Sequence, residues 1–236
     1  MGKRRLIPLS MFVFLLVAAL SSFAGPAGAQ PDQLQYVVIY VEFKPADTKA
    51  GGRLLDELAA QALASAGAIR FDVLQQVDRP NFFALFEIWS SAQTFAAFQS
   101  SSTTQAILTQ LAPLLGAPLD ERDGNLLAGT VNPRSRDAKS RIFVITHVDI
   151  DPQFVDQARP LLETFVSDSA SDRGVQTFAL LSQTPTTNHF QLIEAFANQK
   201  AFDAHVSAQH TLDFRNGIQP FIGAPYDERL YQFANR

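Results

Sequence analysis

The feature that most constrains the fold is an internal repeat. Residues 87–122 and residues 194–229 carry related sequences at a constant offset of 107 positions (194 minus 87). Each copy begins with a glutamate that is followed two residues later by an aromatic side chain, and each ends in the pattern P-x-x-G-A-P-x-D-E-R. The same offset aligns apolar positions upstream, beginning with Val37 and Val144. Such self-similarity predicts two copies of one structural unit.

The N-terminal residues have the pattern of a secretory signal peptide. Three basic residues precede a short apolar run, and Ala27, Gly28 and Ala29 supply the small side chains of a cleavage site. We therefore predict a signal peptide over residues 1–29 and an exported protein, either periplasmic or secreted. Because the apolar run is shorter than a membrane span, we expect no stable membrane insertion after cleavage; an uncleaved N-terminal anchor is the alternative.

Composition excludes several classes of function. The chain has 236 residues, a formal net charge of -4 and no cysteine. Disulfides, thiol catalysis and thiolate metal sites are therefore excluded. The acidic balance and the lack of a basic patch predict no nucleic-acid partner. The glycine-rich nucleotide-binding motifs, G-x-S-x-G and H-E-x-x-H are also missing from the sequence.

Each copy has the predicted order β-α-β-β-α-β. We assign a first repeat to residues 30–125, a polar linker to residues 126–140 and a second repeat to residues 141–236. One such unit covers only one face of its sheet with helices. Because the first and third strands are apolar on both faces, the two sheets should pack face to face, with a cavity between them. A single chain would then reproduce a two-fold dimer; whether this pseudo-dimer associates further is left open.

The second repeat carries several motifs of a known family. They are a Glu-x-aromatic pair, a Phe-x-x-His pair, a second histidine five residues later and a terminal Pro-Gly-Ala-Pro turn. This combination resembles the antibiotic biosynthesis monooxygenase family, which includes small quinol monooxygenases. The residues that carry the resemblance are Glu194, Phe196, Phe202, His205, His210 and Pro220.

The resemblance implies an α+β fold in which two tandem ferredoxin-like (βαββαβ) repeats pack sheet to sheet as an intrachain dimeric α+β barrel. It also implies a monooxygenase that oxidises a quinol or another electron-rich phenolic compound with O2. The substrate is then a small aromatic molecule, and no metal, flavin or other cofactor is expected. Haem degradation is disfavoured, because Arg215 stands where that branch of the family has a histidine. The alternative is a non-catalytic module of the same fold that binds a hydrophobic ligand or serves a stress response.

All four histidines lie in the second repeat. His205 is the predicted catalytic base, because it follows Phe202 by three residues on the same helical face; a structural helix histidine is the alternative. His147 is assigned to the catalytic set as well. If its face of the strand lines the cavity, His147 and its first-repeat equivalent Tyr40 should approach each other and orient the phenolate, Tyr40 being part of the substrate-binding set.

Glu194 and Glu87 occupy equivalent mid-strand positions among apolar neighbours. A carboxyl in such a position is either a pocket acid with a raised pKa or the structural partner of an arginine. The candidate arginines are Arg70, Arg122 and Arg229. We assign Glu194 to the catalytic set and Glu87 to the substrate-binding set.

The remaining substrate-binding residues are mainly aromatic. Trp89, Phe196 and Phe202 are predicted to contact the substrate, with Trp89 and Phe196 stacking on it in a cage that Phe83, Phe86 and Phe190 could extend. A packed core is the alternative for all of these rings.

His210 completes the predicted substrate-binding set, with a surface position or a contact at a helix break as the alternative. On one continuous helix, His205 and His210 would point about 140° apart, which disfavours a metal site built on this pair. We therefore predict no metal ligands. A site formed by His147, His205 and Glu194 is a weaker alternative.

Overall fold

The computed structural model describes residues 33–131 and 142–234. The predicted signal peptide and most of the predicted linker lie outside the described residues. Both repeats follow the predicted order of elements. The first repeat contains β1 (Gln35–Glu42), α1 (Thr48–Ala64), β2 (Ala68–Gln76), β3 (Phe82–Trp89), α2 (Ala92–Gln99), α3 (Ser102–Leu111) and β4 (Asp120–Thr130). The second contains β5 (Ile142–Asp149), α4 (Val155–Ser169), β6 (Val175–Thr184), β7 (His189–Phe196), α5 (Gln199–Val206), α6 (Gln209–Ile218) and β8 (Asp227–Phe233).

The eight strands of the described residues form one closed barrel, in the order β1-β3-β2-β8-β5-β7-β6-β4. In the first repeat, β1 pairs with β3 and β4, and in the second, β5 pairs with β7 and β8. The repeats join at two antiparallel seams, β2 with β8 and β4 with β6. Closure leaves no free sheet edge in either repeat. The predicted intrachain dimeric α+β barrel of two ferredoxin-like repeats is confirmed.

Strand β4 runs to Thr130 and so extends into the segment that was assigned to the linker. Its second half pairs with β6 across a seam, which ends with Thr130 opposite Phe178. Two glycines, Gly129 in this segment and Gly124 just before it, allow the strands to pack closely. A Cβ at Gly124 would lie 3.2 Å from the carbonyl oxygen of Ser182, and Gly129 has a positive φ of 78° beside Phe178.

The strands are apolar on both faces because they separate two kinds of core. Val38 and Ile145 point into the barrel lumen, where buried side chains from both repeats meet. The neighbouring Val37 and Val144 pack instead beneath the helices of their own repeat. Buried side chains from both repeats line the lumen, and a small pocket of about 130 Å³ reaches Tyr40, Arg229 and Tyr231 at one end of it. The expected larger cavity between the sheets stays a prediction. The barrel therefore has three cores: the lumen and one core beneath the helices of each repeat. Each strand contributes one apolar face to the lumen and the other to the core of its own repeat.

Within the described residues, no helix is long and apolar enough to cross a membrane.

Candidate functional site

The sheet separates the predicted catalytic residues from one another. His147 lies in the lumen, where it contacts Tyr40 of the first repeat. Glu194 and His205 lie on the other face of the sheet: Glu194 accepts a hydrogen bond from Thr146, and His205 packs on Phe196. The three residues therefore do not share a pocket. The metal site that was considered from His147, His205 and Glu194 is wrong.

The lumen brings Tyr40 and His147 together at equivalent positions of the two repeats. The hydroxyl of Tyr40 lies 2.5 Å from Nε2 of His147, and Nη1 of Arg122 lies 2.9 Å from Nδ1. A guanidinium can only donate, so Nδ1 accepts and Nε2–H donates to the tyrosine oxygen. Burial, reinforced by Arg122 and Arg229, lowers the pKa of His147 to about 3. The imidazole is neutral and both its nitrogens are engaged, so it is not free to act on a substrate.

The arginines predicted as partners of the buried glutamates pair with aspartates instead. Each lies two residues from its aspartate along a strand, and such residues share a face of the sheet. The two glutamates point to the opposite face, beneath the helices, which is why the predicted pairing is wrong. The observed pairs are Arg70 with Asp72 (2.6 Å), Arg122 with Asp120 (2.8 Å) and Arg229 with Asp227 (2.5 Å).

Glu87 is sealed inside the first repeat. Trp89 donates a hydrogen bond from Nε1 to Oε2 of Glu87 (2.7 Å), and the indole packs on Phe95 and Phe98 with ring centroids 5.8 and 4.9 Å away. The exposed fractions of Trp89 and Glu87 are 0% and 1%. Burial raises the pKa of Glu87 to about 8. Neither residue offers surface to a substrate, so the predicted stacking role of Trp89 and binding role of Glu87 are wrong.

The predicted aromatic cage is wrong as well, because its members belong to three separate cores. Phe83 and Trp89 lie in the first-repeat core, Phe86 lies in the lumen, and Phe190 and Phe196 lie in the second-repeat core.

Glu194 lies beneath a pocket in the second repeat. Its exposed fraction is 3%, and Thr146 donates to Oε1 at 3.4 Å. Burial, together with the nearby carboxylate of Glu228, raises the pKa of Glu194 to about 8. At neutral pH the side chain is therefore mostly the uncharged acid.

The pocket encloses about 260 Å³ between α6 and the start of β8. Nη2 of Arg215 lies 2.6 Å from Oε2 of Glu228. The guanidinium carbon of Arg215 lies 5.9 Å from the centroid of the Tyr226 ring, and burial holds the pKa of Tyr226 far above its usual value. A cation, a carboxylate and a neutral phenol therefore converge on one small space, above a carboxylic acid. The lining residues are Arg215, Ile218, Gln219, Tyr226 and Glu228.

The repeated P-x-x-G-A-P turn positions one wall of this pocket. Gly223 in the turn donates its backbone N–H to the carbonyl of Asp149 (2.8 Å), and a Cβ there would lie 3.2 Å from the backbone nitrogen of Asp151. The glycine therefore allows the chain to pass close to the end of β5. The chain then enters β8, which places Tyr226 and Glu228 opposite α6.

Sequence reasoning missed Tyr226 and Glu228, and it used Arg215 only to disfavour haem degradation. A signal was available in the comparison of the two copies. At the offset of 107, Arg215 aligns with Leu108 and Tyr226 aligns with Leu119. A polar residue in one copy at a position that is leucine in the other indicates that the fold does not require the polar side chain.

His205 lies beside this pocket without lining it. Its exposed fraction is 3%, and the rings of Phe165, Phe178 and Phe196 have centroids 5.1 to 5.7 Å from its own. Nδ1 lies 2.9 Å from Oδ2 of Asp172. Burial lowers the pKa of His205, although Asp172 opposes this effect. The predicted role of His205 as a base stays a prediction.

The predicted neighbours of His205 are close to it. Phe202 is half-buried and packs on Phe196, with centroids 5.4 Å apart, so both aromatic residues belong to the core beneath α5. His210 is not on the same helix as His205, because α5 ends before Ser207 and α6 begins after Ala208. His210 therefore lies at the helix break, which was the alternative to a substrate-binding position, and its Nε2 is 3.2 Å from Asp172.

Comparison with protein families agrees with this architecture. The profile of the family described as antibiotic biosynthesis monooxygenase matches residues 34–110 and again residues 141–217. The chain therefore belongs to the antibiotic biosynthesis monooxygenase family, with two family units in tandem. This membership supports a monooxygenase-like function. A search of curated protein sequences found no significant match.

Solved structures show the same fold over most of the chain. A candidate monooxygenase from Fusobacterium nucleatum is 12% identical, with a TM-score of 0.74 over 86% of this chain and 94% of that chain. An anthrone oxidase-like protein is 12% identical, with a TM-score of 0.68 over 86% and 92%. A candidate monooxygenase from Lactobacillus acidophilus is 11% identical, with a TM-score of 0.66 over 85% and 93%. At these identities the likeness concerns the fold alone.

Proposed function

We propose that the protein is an exported monooxygenase that oxidises a quinol or another electron-rich phenol with O2 in the second-repeat pocket. The observation that carries the proposal is the Arg215–Glu228 pair, which faces a pocket of about 260 Å³ above the uncharged Glu194. Ionisable groups with shifted pKa values around a concave space are typical of active sites. Family membership supports the reaction class.

The pair can both form and stabilise a phenolate. The carboxylate of Glu228 accepts the proton of the substrate hydroxyl, and the guanidinium of Arg215 then stabilises the resulting anion. The neutral hydroxyl of Tyr226 can donate a second hydrogen bond to the substrate oxygen. Deprotonation is the step that matters, because a phenolate gives an electron to O2 far more readily than a phenol does.

The oxidation balances without a further reductant. When a quinol is converted to a hydroxyquinone, one atom of O2 enters the ring and the other leaves as water, and the substrate supplies all four electrons. The uncharged Glu194 has the proton that a reduced oxygen species needs, and the pKa of about 8 keeps that proton in place at neutral pH. The roles proposed for the protein are therefore proton transfer, electrostatic stabilisation and enclosure.

Oxygen uptake by the metal-stripped protein tests this function. A panel of quinols and anthrone-like phenols should support uptake, and Glu228→Gln should lower it about 100-fold. The matched control is Glu121→Gln, at the equivalent position of the first repeat, which should leave uptake unchanged. Saturable binding of these compounds without uptake would instead indicate a non-catalytic binding module.

His205→Ala separates the two candidate bases. A large loss of uptake in this variant at unchanged stability, with Glu228→Gln unaffected, would assign the base to His205 and overturn the role of Glu228. Far-ultraviolet circular dichroism of each variant checks that it folds.

Export is proposed from the N-terminal pattern alone. Mass spectrometry of protein recovered from the periplasm or medium should find a mature N-terminus at Gln30. Recovery of the intact N-terminus from the cytoplasm would contradict export.

A further inference from the structure

Two histidines and an aspartate converge at one corner of the second repeat. Nδ1 of His205 lies 2.9 Å and Nε2 of His210 lies 3.2 Å from the same oxygen, Oδ2 of Asp172. The three possible ligand atoms lie within 4.8 Å of one another. The corner lies outside the lining of the pocket to which we assign the oxidation.

Three separate segments build this corner. Asp172 lies in the connection between α4 and β6, His205 in the last turn of α5, and His210 in the first turn of α6. The break between α5 and α6 turns the second histidine back towards the first. Phe165 packs against both imidazoles, with centroids 5.7 and 6.3 Å away, and holds them in place.

The fold does not need this cluster. The equivalent residues of the first repeat are Ser65, Phe98 and Thr103. Phe98 packs on Trp89, and Thr103 accepts a hydrogen bond from Gln61, so the same corner is built there without an ionisable group. The three possible metal ligands therefore occur at these positions in the second copy and are replaced by other residue types in the first.

We propose that Asp172, His205 and His210 bind a divalent transition-metal ion. Two imidazoles and one carboxylate are ligands that suit zinc and neighbouring first-row ions, whereas magnesium and calcium prefer oxygen ligands. Ligands of a tetrahedral zinc ion lie about 3.3 Å apart, given bonds of about 2.0 Å. Two of the three separations are already close to this value, so only a small movement of the imidazoles is needed.

Hydrogen bonding alone explains the cluster only in part. His205 is well directed towards Asp172, but Nε2 of His210 is buried and makes no hydrogen bond of acceptable geometry to any described residue, despite its 3.2 Å distance from the carboxylate. A metal ion between the three atoms would give that nitrogen a partner. The side chains of Asp172 and His210 are 24% and 23% exposed, so an ion can reach the corner from solvent. The nearby cation, Arg215, is paired with Glu228.

Cobalt and zinc titrations of the metal-stripped protein test the proposal. We expect one Co²⁺ per chain with visible d–d absorption bands, and displacement of Co²⁺ by Zn²⁺. His210→Ala should weaken binding at least about 100-fold, as should Asp172→Asn, which keeps the size of the side chain. The matched control is His189→Ala, because Nδ1 of His189 lies 3.6 Å from Asp149 without a second histidine; this variant should bind normally.

Thermal unfolding gives a readout that does not depend on activity. Because the ion would join three segments, zinc should raise the melting temperature of the parent protein and of His189→Ala, but not that of His210→Ala. A lack of cobalt bands, or equal binding by His210→Ala and the parent, would overturn the site. Oxygen uptake is measured separately on metal-stripped protein, so loss of the proposed oxidation and loss of the metal site are distinguishable.

Discussion

The two repeats share one backbone plan but differ in what fills the space beneath their helices. In the first repeat, the indole of Trp89 occupies that space and caps Glu87. In the second repeat, the equivalent residue is the smaller Phe196, and Arg215 lines an open pocket above Glu194. The glutamate is buried in both copies, with exposed fractions of 1% and 3%, and in the second copy it lies close to Arg215 and Glu228, which line a pocket. Under the proposed function, the first copy serves as a scaffold and the second carries the chemistry.

The difference also shows what the duplication allows. In a symmetric dimer, both copies must satisfy the demands of stability and of function. In this chain, the first copy is free to replace polar pocket residues with apolar ones, as in Leu108 for Arg215. Apolar replacements add buried surface and stabilise the barrel that both copies share.

The largest expected effect comes from making the second repeat resemble the first. Arg215→Leu should lower oxygen uptake about 100-fold, because the developing phenolate loses the cation that stabilises it. Its effect on stability should stay below about 1 kcal/mol, because the ion pair with Glu228 is partly exposed. Uptake is measured with an oxygen electrode and stability by urea unfolding.

The control for this variant lies in the other copy. Leu108→Met conserves volume at the equivalent position and should leave uptake unchanged. Equal uptake by Arg215→Leu and the parent would show that the pocket is not the site of the reaction.

The internal repeat predicted the barrel. Each sheet is apolar on both faces, and the helices cover only one face, so the other face must be buried against the second sheet. Of the polar contacts, the repeat predicted only the approach of Tyr40 and His147, and only on the condition that their face of the strands is the inner one. The alternation of side chains along β5 places His147 and Val144 on opposite faces of the strand. It does not show which face points into the lumen, since both faces are apolar. The break between α5 and α6 contains neither proline nor glycine, so the sequence does not show where the helix ends between His205 and His210. Asp172 lies 33 residues from His205 (205 minus 172), and no local pattern connects them.

The second prediction replaces Trp89 of the first repeat with phenylalanine, the residue type that the second repeat has at the equivalent position. Trp89→Phe leaves a cavity and removes the donor to the buried Glu87, so it should lower the free energy of unfolding by about 2 kcal/mol. Uptake per folded molecule should not change. Trp89 is the single tryptophan of the chain, so unfolding is followed by circular dichroism.

A double variant isolates the contact between the two side chains. In Trp89→Phe with Glu87→Gln, the loss should be smaller than the sum of the two single losses, because both substitutions disturb the same hydrogen bond. Strictly additive losses would contradict a specific role for the indole N–H.

The third prediction concerns the raised pKa that Glu87 and Glu194 have in common. Burial raises the pKa of both to about 8, so the folded chain keeps two protons that the unfolded chain releases above about pH 4.5. The two glutamates should therefore lower stability as the pH rises from about 4.5 to about 8. His147 and His205 contribute in the opposite sense below about pH 6.5, because burial lowers the pKa of both imidazoles, so the glutamate contribution is read from the difference between the parent and each glutamate variant. Each glutamate contributes a slope of about 1.4 kcal/mol per pH unit in this window.

Substitution separates the two contributions. Glu87→Gln should reduce the slope between about pH 5 and about pH 7 by about 1.4 kcal/mol per pH unit without affecting uptake. Glu194→Gln should reduce the slope equally and lower uptake as well. The measurement is urea unfolding at a series of pH values; a slope unchanged in Glu87→Gln would contradict the raised pKa.

The smallest expected effect on the free energy of unfolding comes from the contact between the two repeats in the barrel lumen. Tyr40 and His147 occupy the same position in the two repeats, yet they bond to each other in the lumen. A symmetric dimer would bring two tyrosines or two histidines together here, so this contact depends on the divergence of the copies. Tyr40→Phe removes the acceptor of the His147 Nε2–H and should lower the free energy of unfolding by about 1 kcal/mol, with uptake unchanged.

Tyr36→Phe is the matched control for that variant, because Tyr36 lies on the same face of β1 and none of the described residues hydrogen-bonds to its hydroxyl. Its loss should be smaller than about 0.5 kcal/mol. The opposite result would be informative: if Tyr40→Phe lowered uptake tenfold or more at unchanged stability, the lumen pair would act on the substrate after all. The division between a scaffold copy and a catalytic copy would then fail, because a first-repeat residue would take part in the reaction.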